Sequence, residues 1–277
     1  MLLNCAGKPL DLSRPVVMGV LNLTPDSFSG DGLAGSVDAA CARALALQAA
    51  GAAVIDIGGE STRPGAARVS VPEELGRVLP VIERLAGQLT VPISIDTRHA
   101  EVMRAAVGAG AGLINDVAAL REPGALAAAA TLGVPVILMH MQGEPGSMQQ
   151  APHYGDVVAD VAAFLAERVA ACERAGIARE HLLLDPGFGF GKTAEHNLAL
   201  LRGLPVLARQ GLPVVAGLSR KSLIGAVTGA PVTQRLGGSV ALALLAAERG
   251  ARLLRVHDVE ATVQALAMLE AVQGVGE

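Results

Sequence analysis

Polar or charged residues close nearly every apolar run of this 277-residue chain. Asn22 follows the run 16–21, Asp96 follows 93–95, Asn115 and Asp116 follow 112–114, and Asp185 follows 182–184. His140 ends the run 134–139, Ser219, Arg220 and Lys221 end 214–218, and Arg255 with His257 ends 253–254. If these runs are parallel strands of one closed barrel, all of these groups converge on a single rim. One pocket would then hold carboxylates, amides, cations and imidazoles.

Such a set can do definite chemistry. Arg255 can offer a bidentate fork to an anion, and His257, two residues on, points the same way if the strand continues. Ser222 stands at the expected N-terminus of the helix after the seventh strand, where a hydroxyl beside free backbone N–H groups also suits an anion. Each group has a plainer role open to it: Arg255 pairing with a surface acid, His257 capping a helix from Asp258, and Asp96 or Asp185 capping helices or turns. The stretch from Asp185 to Thr193 has the look of a nucleotide loop, but Pro186 stands where that loop requires glycine. Its glycines instead permit a tight turn. Phe is scarce, with four copies, so Phe28 and Phe190 in two rim loops suggest aromatic contact with a ligand, although an aromatic packed under a loop is the alternative. His140 and His153 stay outside the expected site.

The elements that must position these groups follow from periodicity. Eight short β-rich runs are expected at 15–22, 53–58, 92–96, 112–116, 134–140, 181–185, 212–218 and 251–256. Their apolar residues are mostly consecutive, as in strands covered on both faces. Alanine-rich segments between them are long enough for amphipathic helices. Ser36, Asp156 and Asp258 are the expected caps of three such helices. Alternation of strand and helix predicts a parallel sheet, and eight units favour a closed (β/α)8 barrel, an α/β fold, over an open doubly wound sheet. Two long loops, 22–35 and 58–70, are rich in Gly, Pro, Ser and Asp and could act as lids over the rim.

Composition narrows the function. The length suits one domain over 1–277, and no repeat, low-complexity linker or composition break suggests a second. Aromatics make up 2% of the chain, so its core must be built from Ala, Val, Leu and Ile. A formal charge of −4 argues against broad nucleic-acid binding, which needs a basic face. Cys5, Cys41 and Cys172 are odd in number and lack a CxxC pattern, so they read as reduced thiols of a cytoplasmic protein. No apolar run reaches the ~18 residues of a spanning helix, and no secretory signal opens the chain.

The segments from Met18 to Ser29, Ile55 to Gly65, Ser94 to Arg98 and Ile114 to Asp116 together resemble the dihydropteroate synthase family. Leu138 to Gln142, Leu184 to Lys192, Ser219 to Ser222 and Arg255 to Asp258 continue the resemblance, which runs from about residue 15 to 260. Each motif alone is moderately informative, whereas the ordered set is highly specific. The order Ser29-Gly-Asp-Gly32 departs from the family's usual Ser-Asp-Gly-Gly, which puts only the local loop shape in doubt.

The resemblance implies condensation of 6-hydroxymethyl-7,8-dihydropterin pyrophosphate with p-aminobenzoate in folate synthesis. A pterin edge offers an amine and a ring N–H beside a carbonyl, and the matching positions Asp96, Asn115, Asp185 and Lys221 are assigned to it. Charge-assisted hydrogen bonds are worth about 1.5–3 kcal/mol each, so two or three support micromolar binding. Arg255 and His257 match residues that hold the phosphates, and Asn22 matches a Mg2+ contact completed by substrate oxygens and water. Near Ser222, p-aminobenzoate would be closed in by Phe28, Thr62, Arg63 and Pro64, with Thr62 shared with the pyrophosphate and Phe190 beside the pterin. The mechanism implied is a dissociative substitution without a covalent enzyme intermediate. Sulfonamide sensitivity and a homodimer are also implied. Two rival readings are a pterin-barrel methyltransferase serving a corrinoid protein and a non-catalytic pterin sensor.

Overall fold

The computed structural model describes residues 1–24, 37–61, 68–144, 146 and 148–274. Strands β3 (Val16–Asn22), β4 (Val54–Gly58), β5 (Ile93–Asp96), β6 (Leu113–Asp116), β7 (Val136–Met139), β8 (Leu182–Asp185), β9 (Val214–Ala216) and β10 (Ala251–Val256) close into one barrel in the order β10-β3-β4-β5-β6-β7-β8-β9. Every neighbouring pair is parallel. The eight expected runs are therefore the eight barrel strands, each within about two residues of its predicted start.

Helices wrap the barrel: α1 (Val37–Ala49), α2 (Val71–Ala86), α3 (Ala100–Gly108), α4 (Ala125–Leu132), α5 (Val157–Arg174), α6 (Ala194–Arg202), α7 (Leu204–Ala208), α8 (Ser222–Thr228), α9 (Leu236–Glu248) and α10 (Val259–Gln273). Outward strand residues such as Val17, Ile55, Ile93, Ile114, Leu184 and Leu254 pack with helix residues such as Ala44, Val78, Ile82, Val161 and Leu165 in a core of small and branched side chains. Asp156 caps α5 as expected, accepting from the backbone N–H groups of Val158 and Ala159. Asp258 occupies the N-cap position of α10 but makes no side-chain cap bond, because its carboxylate is taken by Arg220. Ser36, the third expected cap, lies outside the described residues.

An antiparallel hairpin not anticipated from the sequence, β1 (Leu2–Cys5) with β2 (Lys8–Asp11), precedes the barrel. Leu3, Cys5, Leu10 and Leu12 plug the barrel's lower end against Met18, Val54, Leu113, Ile137, Leu183, Val215 and Leu253. That plug closes one mouth and leaves the other end of the strands to function. The three thiols are free and buried. Burial pushes Cys5 up to about 12 and Cys172 up to about 11, which suppresses the reactive thiolate. Among the described residues, no helix is long and apolar enough to cross a membrane.

Candidate active site

Strand side chains alternate, so residues two apart along a barrel strand share the interior. Above the apolar layer of Val54, Leu113, Leu183 and Leu253, the next inward residues are Asp56, Asn115, Asp185 and Arg255. On β5 both inward positions, Ser94 and Asp96, are polar. The change from apolar to polar in one two-residue step turns the upper barrel into a binding floor.

Arg255 organises that floor. Its Nε donates to Asp56 Oδ2 at 2.7 Å and its Nη2 to Asp96 Oδ2 at 2.7 Å. Asn115 Nδ2 donates to the same Asp56 oxygen at 3.2 Å. Burial opposes the arginine's charge, but the Asp56 and Asp96 carboxylates outweigh it and hold the guanidinium firmly cationic. Burial pushes Asp96 above the usual carboxylate range, and the charge of Arg255 pulls it back. Asp96 and Arg255, assigned from sequence to different parts of one substrate, are thus direct partners. The plainer reading of Arg255 as a surface ion pair is corrected: both acids lie in the barrel interior and are buried.

Asp185 ends β8, where its Oδ1 accepts the backbone N–H of Gly187 at 2.7 Å. Burial raises its pKa, and the Gly187 bond and the charge of Lys221 oppose the rise. The loop that follows folds tightly because Gly187, with φ of 66°, would carry a Cβ only 1.9 Å from the carbonyl oxygen of His140. Gly189, at φ of 80°, leaves room for the stem of Lys221, whose Cδ would stand 3.0 Å from an added Cβ. Lys221 Nζ donates to the Phe188 carbonyl and sits 4.5 Å above the Phe190 ring. Burial lowers the lysine to about 8, with Asp185 favouring its charge and Arg255 opposing it.

The other expected residues surround this centre. Asn22 is the half-buried last residue of β3, paired in register with Gly58. His257 follows β10, and both its backbone N–H (3.2 Å) and its Nδ1 (3.1 Å) meet Ser219 Oγ. Ser219 thereby ties the end of β9 to the end of β10, and His257 does not take the N-cap position, which belongs to Asp258. Ser222 is the exposed first residue of α8, directly after Lys221. Phe28, Thr62, Arg63 and Pro64, with most of the two expected lids, lie outside the described residues.

Three features escaped the sequence reading. Asp56 was passed over because it lies inside its strand rather than after it; an acid between Ile55 and Ile57 was the available signal. Lys192 is 3% exposed, although it lies in a glycine-rich loop that gave no hint of burial. Arg98, also buried, binds Glu60 at 3.0 Å and Glu144 at 3.5 Å, joining the bases of three rim segments. Asp116, noted only as a strand end, is a turn residue: its two oxygens each accept a backbone N–H at 2.7 Å, from Ala118 and Leu120.

Among the described residues, no group of three or more His, Cys, Asp or Glu could hold a metal ion. Asn22 offers one neutral amide oxygen at the rim. That donor set fits a largely hydrated ion completed by a substrate's phosphates, and does not fit a site built by the protein alone.

The pattern of the family described as "Pterin binding enzyme" matches residues 18–257. The dihydropteroate synthase of Escherichia coli (strain K12) is 53% identical over 271 residues, covering 98% of this chain and 96% of that protein. The Xanthomonas albilineans dihydropteroate synthase solved with 4-aminobenzoic acid is 60% identical, with a TM-score of 0.94 and coverage of 99% and 98% of the two chains. The same organism's enzyme in complex with 7,8-dihydropteroate is 57% identical with a TM-score of 0.91, covering 99% of this chain and 100% of that one. A Yersinia pestis dihydropteroate synthase bound to a sulfonamide drug is 52% identical, with a TM-score of 0.95 and coverage of 99% and 100%.

Proposed function

The chain belongs to the dihydropteroate synthase family of pterin-binding enzymes, and we propose how its rim carries out that family's reaction. The enzyme joins the methylene carbon of 6-hydroxymethyl-7,8-dihydropterin pyrophosphate to the amine of p-aminobenzoate, transferring a pterinylmethyl group and releasing pyrophosphate. The observation that carries the assignment of roles is the single polar layer in which Asp96, Asn115, Asp185 and Arg255 meet beneath Lys221.

Asp185 and Asn115 receive the ring's donors, while Lys221 gives a hydrogen bond to its carbonyl side. Arg255, cationic and braced by Asp56 and Asp96, turns its remaining N–H groups towards the departing pyrophosphate together with His257. Charge leaving the carbon–oxygen bond is taken up by groups already in place, so little reorganisation accompanies bond breaking. The electron-rich dihydropterin carries the developing cation at its methylene carbon. The aniline nitrogen is nucleophilic when neutral, and the site's work is to place it on that carbon and keep water away. Ser222 and the segment holding Thr62, Arg63 and Pro64, with Phe28 and Phe190, would hold p-aminobenzoate. Asn22 would hold Mg2+, which when bound would add positive charge at the phosphates.

Exposed apolar residues on α8 to α10, Val227, Leu236, Met268 and Val272, support a homodimer formed through these helices. A cytoplasmic setting agrees with the three unpaired thiols. The reading is tested by incubating the enzyme with the two pure substrates and detecting dihydropteroate and pyrophosphate together. Equimolar products are expected. No product, or methyl transfer from a folate instead, would contradict it.

A further inference from the structure

We propose that Lys192 is a positioning residue for the pterin site: its ammonium fastens the glycine-rich loop 186–191, and that loop in turn holds Lys221. The inference rests on the pterin reading of the site and adds a residue that the mechanism above does not use.

Lys192 Nζ lies 2.9 Å from His140 Nδ1, 2.9 Å from the Gly187 carbonyl and 3.0 Å from the Phe190 carbonyl. Three acceptors match the three donors of an ammonium. His140 serves as the neutral acceptor, since burial and the charges of Lys192 and Arg121 push its pKa down to about 3. The two carbonyls bracket Phe188, whose own carbonyl accepts from Lys221, and they include that of Phe190, whose ring lies under the Lys221 ammonium. Neutral contacts steady the same loop elsewhere: Gly189 N–H to Asn197 Oδ1 at 2.7 Å, Gln149 Nε2 to the Gly189 carbonyl at 2.6 Å, and the Tyr154 hydroxyl to the Gly191 carbonyl at 2.7 Å. Lys192 alone among these carries charge and grips the loop at two points.

The groups facing Lys192 are His140 at the end of β7, Asp185 on β8, Lys221 before α8, and Tyr154, whose ring centre is 5.9 Å away. Tyr154 in turn packs against His196. Burial and the charge of Lys221 lower Lys192 to about 7, with Asp185 opposing. The charge of Lys221 thus reaches Lys192 across the loop, a coupling that simple packing would not produce.

The chain has three lysines, and Lys8 lies in the hairpin at the far end, bonded to the Ala86 and Leu89 carbonyls. Labelling lysine ε-carbons with 13C therefore gives three signals, of which Lys8→Arg and Lys192→Arg assign two and leave the third to Lys221. Lys192→Met is expected to weaken binding of 6-hydroxymethyl-7,8-dihydropterin about tenfold, the loss expected for one charge-assisted contact. Because the loop that holds Lys221 is loosened, the titration midpoint of Lys221 should also move, while that of Lys8 stays unchanged. Lys192→Arg should retain most of the affinity. Affinity within twofold of wild type, with an unmoved Lys221 midpoint, would overturn the proposal. Should Lys192→Met fail to fold, the labelled wild type decides: dihydropterin must shift the Lys192 and Lys221 signals together, and a stationary Lys192 signal overturns the idea. A wild type that binds no dihydropterin contradicts the pterin reading instead, while the Lys221 midpoint in Lys192→Met still judges the coupling.

Discussion

Arg255 Nη2 lies 2.7 Å from Asp96 Oδ2, with Nε of the same guanidinium 2.7 Å from Asp56 Oδ2. The cation assigned to the departing pyrophosphate is therefore positioned by an acid assigned to the ring and by a second acid that is fully buried.

Replacement of Arg255 by Ala is expected to lower turnover by roughly ten- to hundredfold at saturating substrate, the cost of one charge-assisted contact. It should also leave Asp56 and Asp96 facing each other without their counterion, so the melting temperature should fall as well. Arg255→Lys offers a single ammonium that cannot reach both acids as a fork does, and should rescue stability better than turnover. Steady-state kinetics beside thermal unfolding checks both; unchanged turnover would remove Arg255 from the reaction.

Lys221 sets a pH limit. In its proposed role the charged form binds the ring, and its pKa is lowered to about 8, so kcat/KM should fall as pH rises through that value. Stability moves the other way. Between about pH 8 and the ordinary lysine value of 10.5, the unfolded chain holds more protons than the folded one, so this group's contribution to stability rises with pH. Lys221→Arg should abolish the alkaline limb of the rate profile; a limb that persists unchanged would assign it to another group.

Asp116→Ala removes acceptors from two buried backbone N–H groups, in a turn where Ala119 and Leu120 take positive φ. Its cost should be about 2–4 kcal/mol, taking hydrogen bonds to a charged group at 1.5–3 kcal/mol each and allowing partial relaxation. Denaturant unfolding measures this. A loss below about 0.5 kcal/mol would show that the turn does not depend on the carboxylate.

Mg2+ binding should depend on substrate, because Asn22 in its proposed role would contribute one neutral donor. Titration of Mg2+ into the free enzyme is expected to show no binding below millimolar concentration, and added inorganic pyrophosphate should create it. Tight binding to the free enzyme that survives Asn22→Ala would place the ion elsewhere.

Much of the architecture was legible because most barrel strands are largely apolar on consecutive residues and run into a polar residue at or soon after their end, as at Ile95-Asp96 or Leu184-Asp185. The same rule hid Asp56, which lies two residues before the end of β4 yet faces the barrel interior. Alternation within the strand, rather than its last residue, marks the floor. The hairpin went unseen because its strands have four residues each and its turn is Ala6-Gly7 rather than a typical Asn-Gly pair, although Leu3, Cys5, Leu10 and Leu12 alternate as a half-buried ribbon must. Asp258 misled for another reason. Capping chemistry is local, but Arg220, 38 residues away in sequence, competes for its carboxylate with a charged donor.

The central claim is that one layer of side chains grips the dihydropterin and draws off its pyrophosphate, and calorimetry on Asp185→Asn and Arg255→Ala tests it most directly. Asp185→Asn keeps an oxygen for the Gly187 N–H and should weaken binding of both 6-hydroxymethyl-7,8-dihydropterin and its pyrophosphate ester by at least about tenfold. Arg255→Ala should erase most of the extra affinity that the ester has over the bare alcohol. Wild-type affinity for the ester in both variants would contradict the account.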